Sequence, residues 1–359
     1  MNLYTNLVAL DIGTSCIKMI NLAAGPGKQG YKVIDMHSAE IEVDLIGGDF
    51  TKPYIKDIQK FKTILSTLIA KISSSHQGFI VGLPDRWVKL HFNSLLLSDS
   101  EKKNPDFLRW RLEKTLPVPS DIDVMVDYMV LDSENEDAQG YQTVLAAAVN
   151  KSIIEILSAV TTQLQMEVMA FDTSSLGIYN LYQEAYPEQT YQQNVINLHI
   201  GNETTVVKVY DKGSLVYERV IEVAGESFSS IISQLDCVDL AQAHKIKQDE
   251  KFFPTNREDV LQLLDKRTRI DKVFGNWLRE LNVTFRFYQE KFKTTRLPSI
   301  FITGGSGLFE GLAEFLALYF ETRCELFNPF EEIPLTHKLT DNQLFYGPQF
   351  AACIGLLAK

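Results

Sequence analysis

The sequence predicts an α/β protein of two related lobes, the first carrying an inserted α+β unit. Two observations predict it. Ala9-Leu-Asp-Ile-Gly13 returns as Asn197-Leu-His-Ile-Gly201, 188 residues later, each an apolar strand ending in glycine with small polar residues and a second apolar strand behind it. Between the two copies lies a β-α-β-β-α run long enough to be a unit of its own. A repeat at half the chain's length suggests two similar domains facing one another. A strand with a glycine turn is common, so two unrelated hairpins would give the same pattern.

Taken in order, Leu7 to Leu22 reads as two strands around Asp11-Ile-Gly-Thr-Ser15, and Tyr31–Met36 as a third, a β-meander. Apolar residues at 3–4 spacing (Ile55, Ile58, Phe61, Leu65, Leu68, Ile69, Ile72) predict an amphipathic helix over 54–72. A strand follows at Phe79–Gly82, ended by Leu83-Pro84-Asp85. The inserted unit reads as strand 88–97, helix 105–115, strand 124–131, an acidic hairpin tip at Asp132–Gly140, strand 143–149 and helix 152–164. After the second hairpin come strands at 206–210 and 215–223, joined at Asp211-Lys-Gly213. A long helical tract at 258–294 carries one apolar stripe (Val273, Trp277, Leu281, Phe285, Tyr288), expected to be core. Strand 299–303, helix 308–320 and helix 348–357 complete the chain.

Composition narrows the function. The 359 residues are 45% hydrophobic and 23% charged, which excludes a disordered, collagen-like or disulfide-stapled chain. Thirty-five Lys and Arg against 46 Asp and Glu give a formal charge of −11, and no basic patch offsets it. Lys102-Lys103 and Lys266-Arg267 read as solvated helix faces, so no nucleic-acid partner is expected. Cys16, Cys237, Cys324 and Cys353 form no CxxC and read as small buried hydrophobes. The six histidines have no ligand spacing, so zinc is not expected. No signal-peptide pattern or membrane-length apolar run is present, and a cytoplasmic protein is expected.

The chemistry sits at three loops. A tight glycine turn frees backbone N–H groups and lets a phosphate approach. Gly13 has Thr14 and Ser15 as added hydroxyl donors, with Lys18 as a nearby cation. Asp11, at its strand end, is placed to hold the water shell of Mg²⁺. Gly304-Gly305-Ser306-Gly307, between a strand and a helix, offers another close approach for a flat base or a phosphate. Each loop alone is weak; together they fit a nucleotide held between two domains. Gly25-Pro-Gly-Lys-Gln-Gly30 fits the dinucleotide pattern literally, but strands flank it, so it reads as a hairpin turn. There is no P-loop, and no serine or cysteine nucleophile elbow.

Asp11-Ile-Gly-Thr-Ser-x-Ile-Lys18, the second hairpin and Gly304–Gly307 together resemble the actin-like ATPase superfamily. The likeness is closer still to the PilM family of type IV pilus assembly, and runs over nearly the whole chain. Leu108-Arg-Trp-Arg-Leu-Glu-Lys-Thr-Leu-Pro-Val-Pro119, Ala146-Ala-Ala148, Phe171-Asp-Thr173, Asn328-Pro-Phe330 and Pro348–Gly355 follow the family's order and spacing. The resemblance implies a bilobed actin-like (ribonuclease H-like) fold with an FtsA-like α+β inserted subdomain. Its parts would be residues 1–78, 169–194 and 345–359 for the first lobe, 79–168 for the insert, 195–230 and 296–344 for the second lobe, and 231–295 for a helical subdomain.

It also implies ATP with Mg²⁺, at most weak ATPase activity, and a scaffold role. The partner would be the N-terminal peptide of a PilN-like bitopic membrane protein, bound between the insert and the first lobe. Membrane contact would come only through partners, and self-association is open. By motif position Gly201, Asn202, Thr204 and Thr205 form the second phosphate hairpin, and Gly225 and Glu226 the loop after it. Gln242 and Lys245 match a Glu and Lys near the ribose and base. One departure stands out: the family's second Asp-Ile-Gly is His199-Ile-Gly201, and an imidazole does not replace a carboxylate that positions Mg²⁺ or water.

Two other functions share the fold. An FtsA-like division protein would need an amphipathic anchor helix, which the chain's last residues, Gly355-Leu-Leu-Ala-Lys359, do not supply. A small-molecule kinase would need a base, for which Asp172 is the candidate; capping of the next helix is its structural alternative. Phe107, Leu108, Trp110 and Leu112 put apolar residues on both faces of one short helix. Either one face is core and the other meets a partner, or both are buried.

Overall fold

The apolar run Leu7–Ile12 forms the centre of a sheet in the computed structural model, which describes residues 3–25, 30–73, 78–97, 101, 104–131, 141–174, 176–249, 251–254, 256–258, 260 and 269–358. Contacts group the chain into two units. The N-terminal unit is Tyr4–Ala23 with Val33–Ser174; the C-terminal unit is Met1–Leu3, Ala24–Lys32 and Ser175–Lys359.

In the N-terminal unit β1 (Leu7–Ile12) pairs antiparallel with β2 (Cys16–Ala24), and β3 (Tyr31–Glu40) lies beyond β2. Residues Ile46–Gly47 (β4) and Tyr54–Ile55 (β5) form a small ribbon, so the helix expected from residue 54 begins later, at Ile58. Asp57 caps it by accepting from the Lys60 N–H at 2.9 Å, and Phe61, Leu65 and Leu68 form its buried stripe. Strand β6 (Gly78–Leu83) runs parallel to β1. Both strands are buried throughout, which is why they read as unbroken apolar runs.

The insert is a three-stranded sheet of β7 (Val88–Leu96), β8 (Val124–Leu131) and β9 (Tyr141–Asn150), in the order β7-β9-β8 and all antiparallel. Its helix Pro105–Thr115 starts with proline at N1 and with Asn104 accepting from the Phe107 N–H. Leu108 and Leu112 on that helix pack on Val126, Val144, Ala146 and Ala148, one face of the sheet. Helix Lys151–Gln163 returns Ile153, Leu157 and Val160 to the main core of the unit. Strand β10 (Val168–Thr173), which the sequence pattern did not predict, then pairs parallel with β6 as an edge.

In the C-terminal unit β11 (Val195–Ile200) and β12 (Thr205–Asp211) repeat the hairpin, and β13 (Ser214–Ile221) pairs antiparallel with β12. Strand β14 (Ser299–Thr303) is parallel to β11, and β15 (Cys324–Leu326), also unpredicted, is parallel to β14. The two sheets therefore have matching orders, β3-β2-β1-β6-β10 and β13-β12-β11-β14-β15. The duplicated hairpin is a duplicated sheet.

Helices Gly225–Asp236, Leu240–Asp249 and Arg269–Lys291 cover the second sheet. Val273, Trp277, Leu281, Phe285 and Tyr288 are buried there, as the stripe requires. Helix 308–320 is shorter than expected: Gly305–Leu308 is a 3₁₀ turn and Gly311 has φ +78, so the α-helix starts at Leu312. The last helix spans Gly347–Gly355. A bond from Gly25 N–H to Gly30 O at 2.9 Å closes the expected hairpin turn, whose residues 26–29 lie outside the described residues. So do the acidic tip Asp132–Gly140, Lys102-Lys103 and Lys266-Arg267. Cys237 departs from the buried expectation: it is exposed, and its φ of +54 ends helix Gly225–Asp236.

Candidate functional site

In the N-terminal unit the β1–β2 turn is held by Gly13 N–H donating to Cys16 O at 3.2 Å. A Cβ on Gly13 would sit 2.7 Å from that carbonyl, so the turn requires glycine. Thr14 and Ser15 occupy the turn half-buried, and Ser15 O accepts from Ile41 N–H. Asp11 and Lys18 oppose one another across the hairpin, and Lys18 Nζ lies 2.7 Å from Asp11 Oδ2.

The C-terminal unit repeats this turn. Gly201 N–H donates to Thr204 O at 2.9 Å, and the added Cβ would meet that carbonyl at 3.1 Å. Gly225 and Glu226 are not a loop but the first turn of helix Gly225–Asp236. Gly225 N–H reaches Gly201 O at 3.3 Å, and Glu226 N–H reaches Asn202 O at 2.7 Å. Asn202 Nδ2 also reaches Glu226 Oε2. Gly304 has φ +94, and a Cβ there would lie 2.3 Å from Ile200 O, so both the angle and the close carbonyl require glycine. Gly307 N–H donates to Gly304 O at 3.1 Å, while Gly305 has ordinary room beside Gln349. A Cβ on Gly225 would strike Ser306 Oγ at 2.3 Å and come within 3.2 Å of Lys247 Nζ. Gly201, Asn202, Gly225, Glu226, Gly304 and Ser306 are thus brought together.

Other predicted residues are placed elsewhere. Thr205 is buried, with its hydroxyl donating to Val223 O and accepting from Trp277 Nε1, a core role. Gln242 and Lys245 are exposed on helix Leu240–Asp249. The inward face of that helix carries Ala243 and Lys247, four residues apart, with His244 beside them, its Nδ1 3.2 Å from Ser229 Oγ. Lys247 Nζ donates to Gly225 O at 2.9 Å, and burial pulls its pKa down to about 8, against the raising effect of Glu226. Lys247 is the residue that sequence reasoning missed; its four-residue spacing from Ala243 was the available signal.

His199 has its Nδ1 3.0 Å from Thr303 Oγ1. Asp172 lies in β10 and accepts from the Thr173 N–H, so it caps no helix; burial raises its carboxyl pKa, and the charge of Asp127 on β8 adds to that. Among the described residues no group of three or more His, Cys, Asp or Glu side chains is placed to hold a metal ion. No described helix is long and apolar enough to cross a membrane.

The insert helix is one-sided. Leu108 and Leu112 are buried, whereas Phe107 and Trp110 are exposed, their rings 5.7 Å apart. The sheet face turned away from this helix is apolar as well: Leu90 and Phe92 on β7, Leu145, Ala147 and Val149 on β9, and Met125 and Met129 on β8 share it by register. Met129 is 52% exposed, and Met169 on the edge strand β10 is 58% exposed.

A family model described as "Type IV pilus assembly protein PilM" matches residues 9–358. Among solved structures, the "PilM-PilN type IV pilus biogenesis complex" superposes with TM-score 0.77 at 20% identity, over 98% of this chain and 97% of that one. Ethanolamine utilization protein EutJ from Carboxydothermus hydrogenoformans gives 0.52 at 10% identity, over 98% and 89%. These likenesses show the fold, an actin-like α/β fold. No curated protein matches the sequence.

Proposed function

The chain belongs to the PilM family of type IV pilus assembly proteins, and from that premise we propose that it is a nucleotide-binding scaffold docking the tail of a PilN-type membrane protein. The observation that carries the docking is the pair of half-exposed methionines, Met125 and Met129, on the apolar face of the insert's sheet, with the edge strand β10 and its exposed Met169. Burial, and in smaller part the charge of Asp127 on β8, raises the pKa of Asp172 on β10, so the two strands lie within electrostatic reach of one another. An extended peptide gains main-chain bonds from a strand edge and side-chain pockets from an apolar face. Methionine suits such a surface because its unbranched thioether repacks around varied partners. The structural relative is itself a complex with PilN, which fixes the class of occupant in this proposal.

For the nucleotide, the cluster of Gly201, Asn202, Gly225, Glu226, Gly304, Ser306 and Lys247 offers small residues that allow close approach and a buried cation, while the N–H groups of Gly201, Gly225, Glu226 and Gly304 are bonded within the chain. Gly13, Thr14, Ser15 and Lys18 are the matching set on the first hairpin. ATP is the ligand in this proposal, and the four-part division read from the sequence is the domain plan that goes with it. The Mg²⁺ expected beside Asp11 meets a carboxylate already paired with Lys18.

Titration with the cytoplasmic N-terminal peptide of the cell's PilN-type protein tests the docking. Met129→Glu and Met169→Glu are each expected to weaken binding more than about tenfold, because a charge enters an apolar contact. Binding unchanged in both variants would place the tail elsewhere. Titration with ATP tests the nucleotide half independently.

A further inference from the structure

We infer that the docking face is a site of methionine sulfoxidation, and that an oxygen atom added there by a hydroperoxide releases the peptide. The inference rests on the docking reading above and concerns the regulation of that site. It starts from how the methionines are distributed. Met19 and Met166 are buried in the core of the N-terminal unit, and Met36 is half-buried. Met125, Met129 and Met169 are the exposed ones among the described residues, with 48%, 52% and 58% open to solvent. A small oxidant reaches the second group and not the first.

All three belong to the N-terminal unit, on the two strands that carry the docking. Met125 and Met129 share one face of β8, opposite Val149 and Leu145 of β9. Four residues of strand set them about 13 Å apart. On β10 the side chain of Met169 lies along the start of β6. A Cβ added to Gly78 would meet its Cγ at 2.7 Å and its Sδ at 3.0 Å.

The step is a two-electron oxygen transfer. The thioether sulfur attacks the hydroxyl oxygen of hydrogen peroxide or of an organic hydroperoxide. The S–O bond forms as the O–O bond breaks, and sulfur gives up two electrons. The departing oxygen takes the hydroxyl proton and leaves as water or an alcohol. The product is a polar acceptor where an apolar contact was, and thiol-dependent reductases return it to the thioether. In the free protein the new oxygen stays in water and costs nothing. Under a bound peptide it is buried without a donor, which disfavours the complex alone. Oxidation therefore loosens the peptide without unfolding the chain, and a bound peptide in turn shields the three sulfurs.

The full chain is treated with hydrogen peroxide, the peroxide is removed, and affinity for the N-terminal peptide is measured by calorimetry. Mass spectrometry locates the added oxygen. Met125, Met129 and Met169 are expected to be oxidised before Met19 and Met166, and affinity to fall more than about tenfold. Methionine sulfoxide reductases with dithiothreitol are expected to restore it. A variant carrying Met125→Leu, Met129→Leu and Met169→Leu is expected to have the same affinity before and after peroxide, whatever the substitutions themselves cost. Should it fail to fold, Met169→Leu alone is expected to lose less on oxidation than the wild type. Unchanged affinity of the oxidised wild type overturns the inference and leaves the docking reading standing. An equal loss in the leucine variant also overturns it, and places the effect elsewhere, as at the exposed Cys237. No peptide binding before treatment overturns both.

Discussion

At the scale of single residues, the candidate site was half legible. The glycines announce themselves: Gly13 and Gly304 are each required by a carbonyl that a Cβ would strike, and such positions leave a mark in any sequence. Lysines do not. Lys245 and Lys247 are two apart on a helix, so they point in different directions, and only the buried neighbour Ala243 says which one faces inward. The burial of Lys247 has a measurable consequence. Its pKa falls from 10.5 to about 8 in the folded protein, so between those values the unfolded chain binds more protons. The penalty of burying its charge is complete below pH 8 and is relieved as pH rises. Unfolding free energy from denaturant titrations is expected to carry a rising contribution between about pH 8 and pH 9.5 that Lys247→Met removes. Identical pH profiles for the two proteins would show that the lysine is solvated.

At the scale of elements, those with one strong pattern came through and those with divided loyalties did not. Helix Pro105–Thr115 and strand β8 have the predicted limits because proline, an asparagine cap and alternation all agree. Strand β10 was missed because it is an edge: Met169 and Ala170 face outward, and Asp172 breaks any alternation. Helix Gly225–Asp236 was missed because Gly-Glu-Ser-Phe-Ser-Ser begins it, a composition closer to a loop, and its stripe is only Phe228 and Ile232. The insert helix settles the alternative left open by its sequence, with one face core and one face exposed. Leu112→Ala is expected to cost about 2–5 kcal/mol in the insert, by the loss of a filled core position. Trp110→Ala, on the 54%-exposed side, is expected to stay within about 0.5 kcal/mol. Hydrogen exchange of β8 and β9 amides distinguishes the two; equal protection in both variants would contradict this assignment of faces.

For the whole molecule, the repeat carried more than its few matching residues promised. A matched glycine turn implied a matched sheet, since the same turn feeds a strand that must pair the same way. The copies differ at the insert and at His199, and both differences are visible in the sequence. The insert also sets an order of events in time. It is spliced between β6 and β10, which are neighbours in the sheet, so closing that edge has to wait until a complete smaller unit has been made. Pairing across a long loop is slow, whereas β7, β8 and β9 pair largely through nearer neighbours. During synthesis β6 therefore emerges with a bare apolar edge, the kind that recruits other chains. In refolding followed by pulsed hydrogen exchange, β8 and β9 are expected to be protected before Ala170–Thr173, and simultaneous protection would contradict that order. The strand that completes the sheet thus also covers the edge of β6, the last of the sheet's buried strands to find its neighbour.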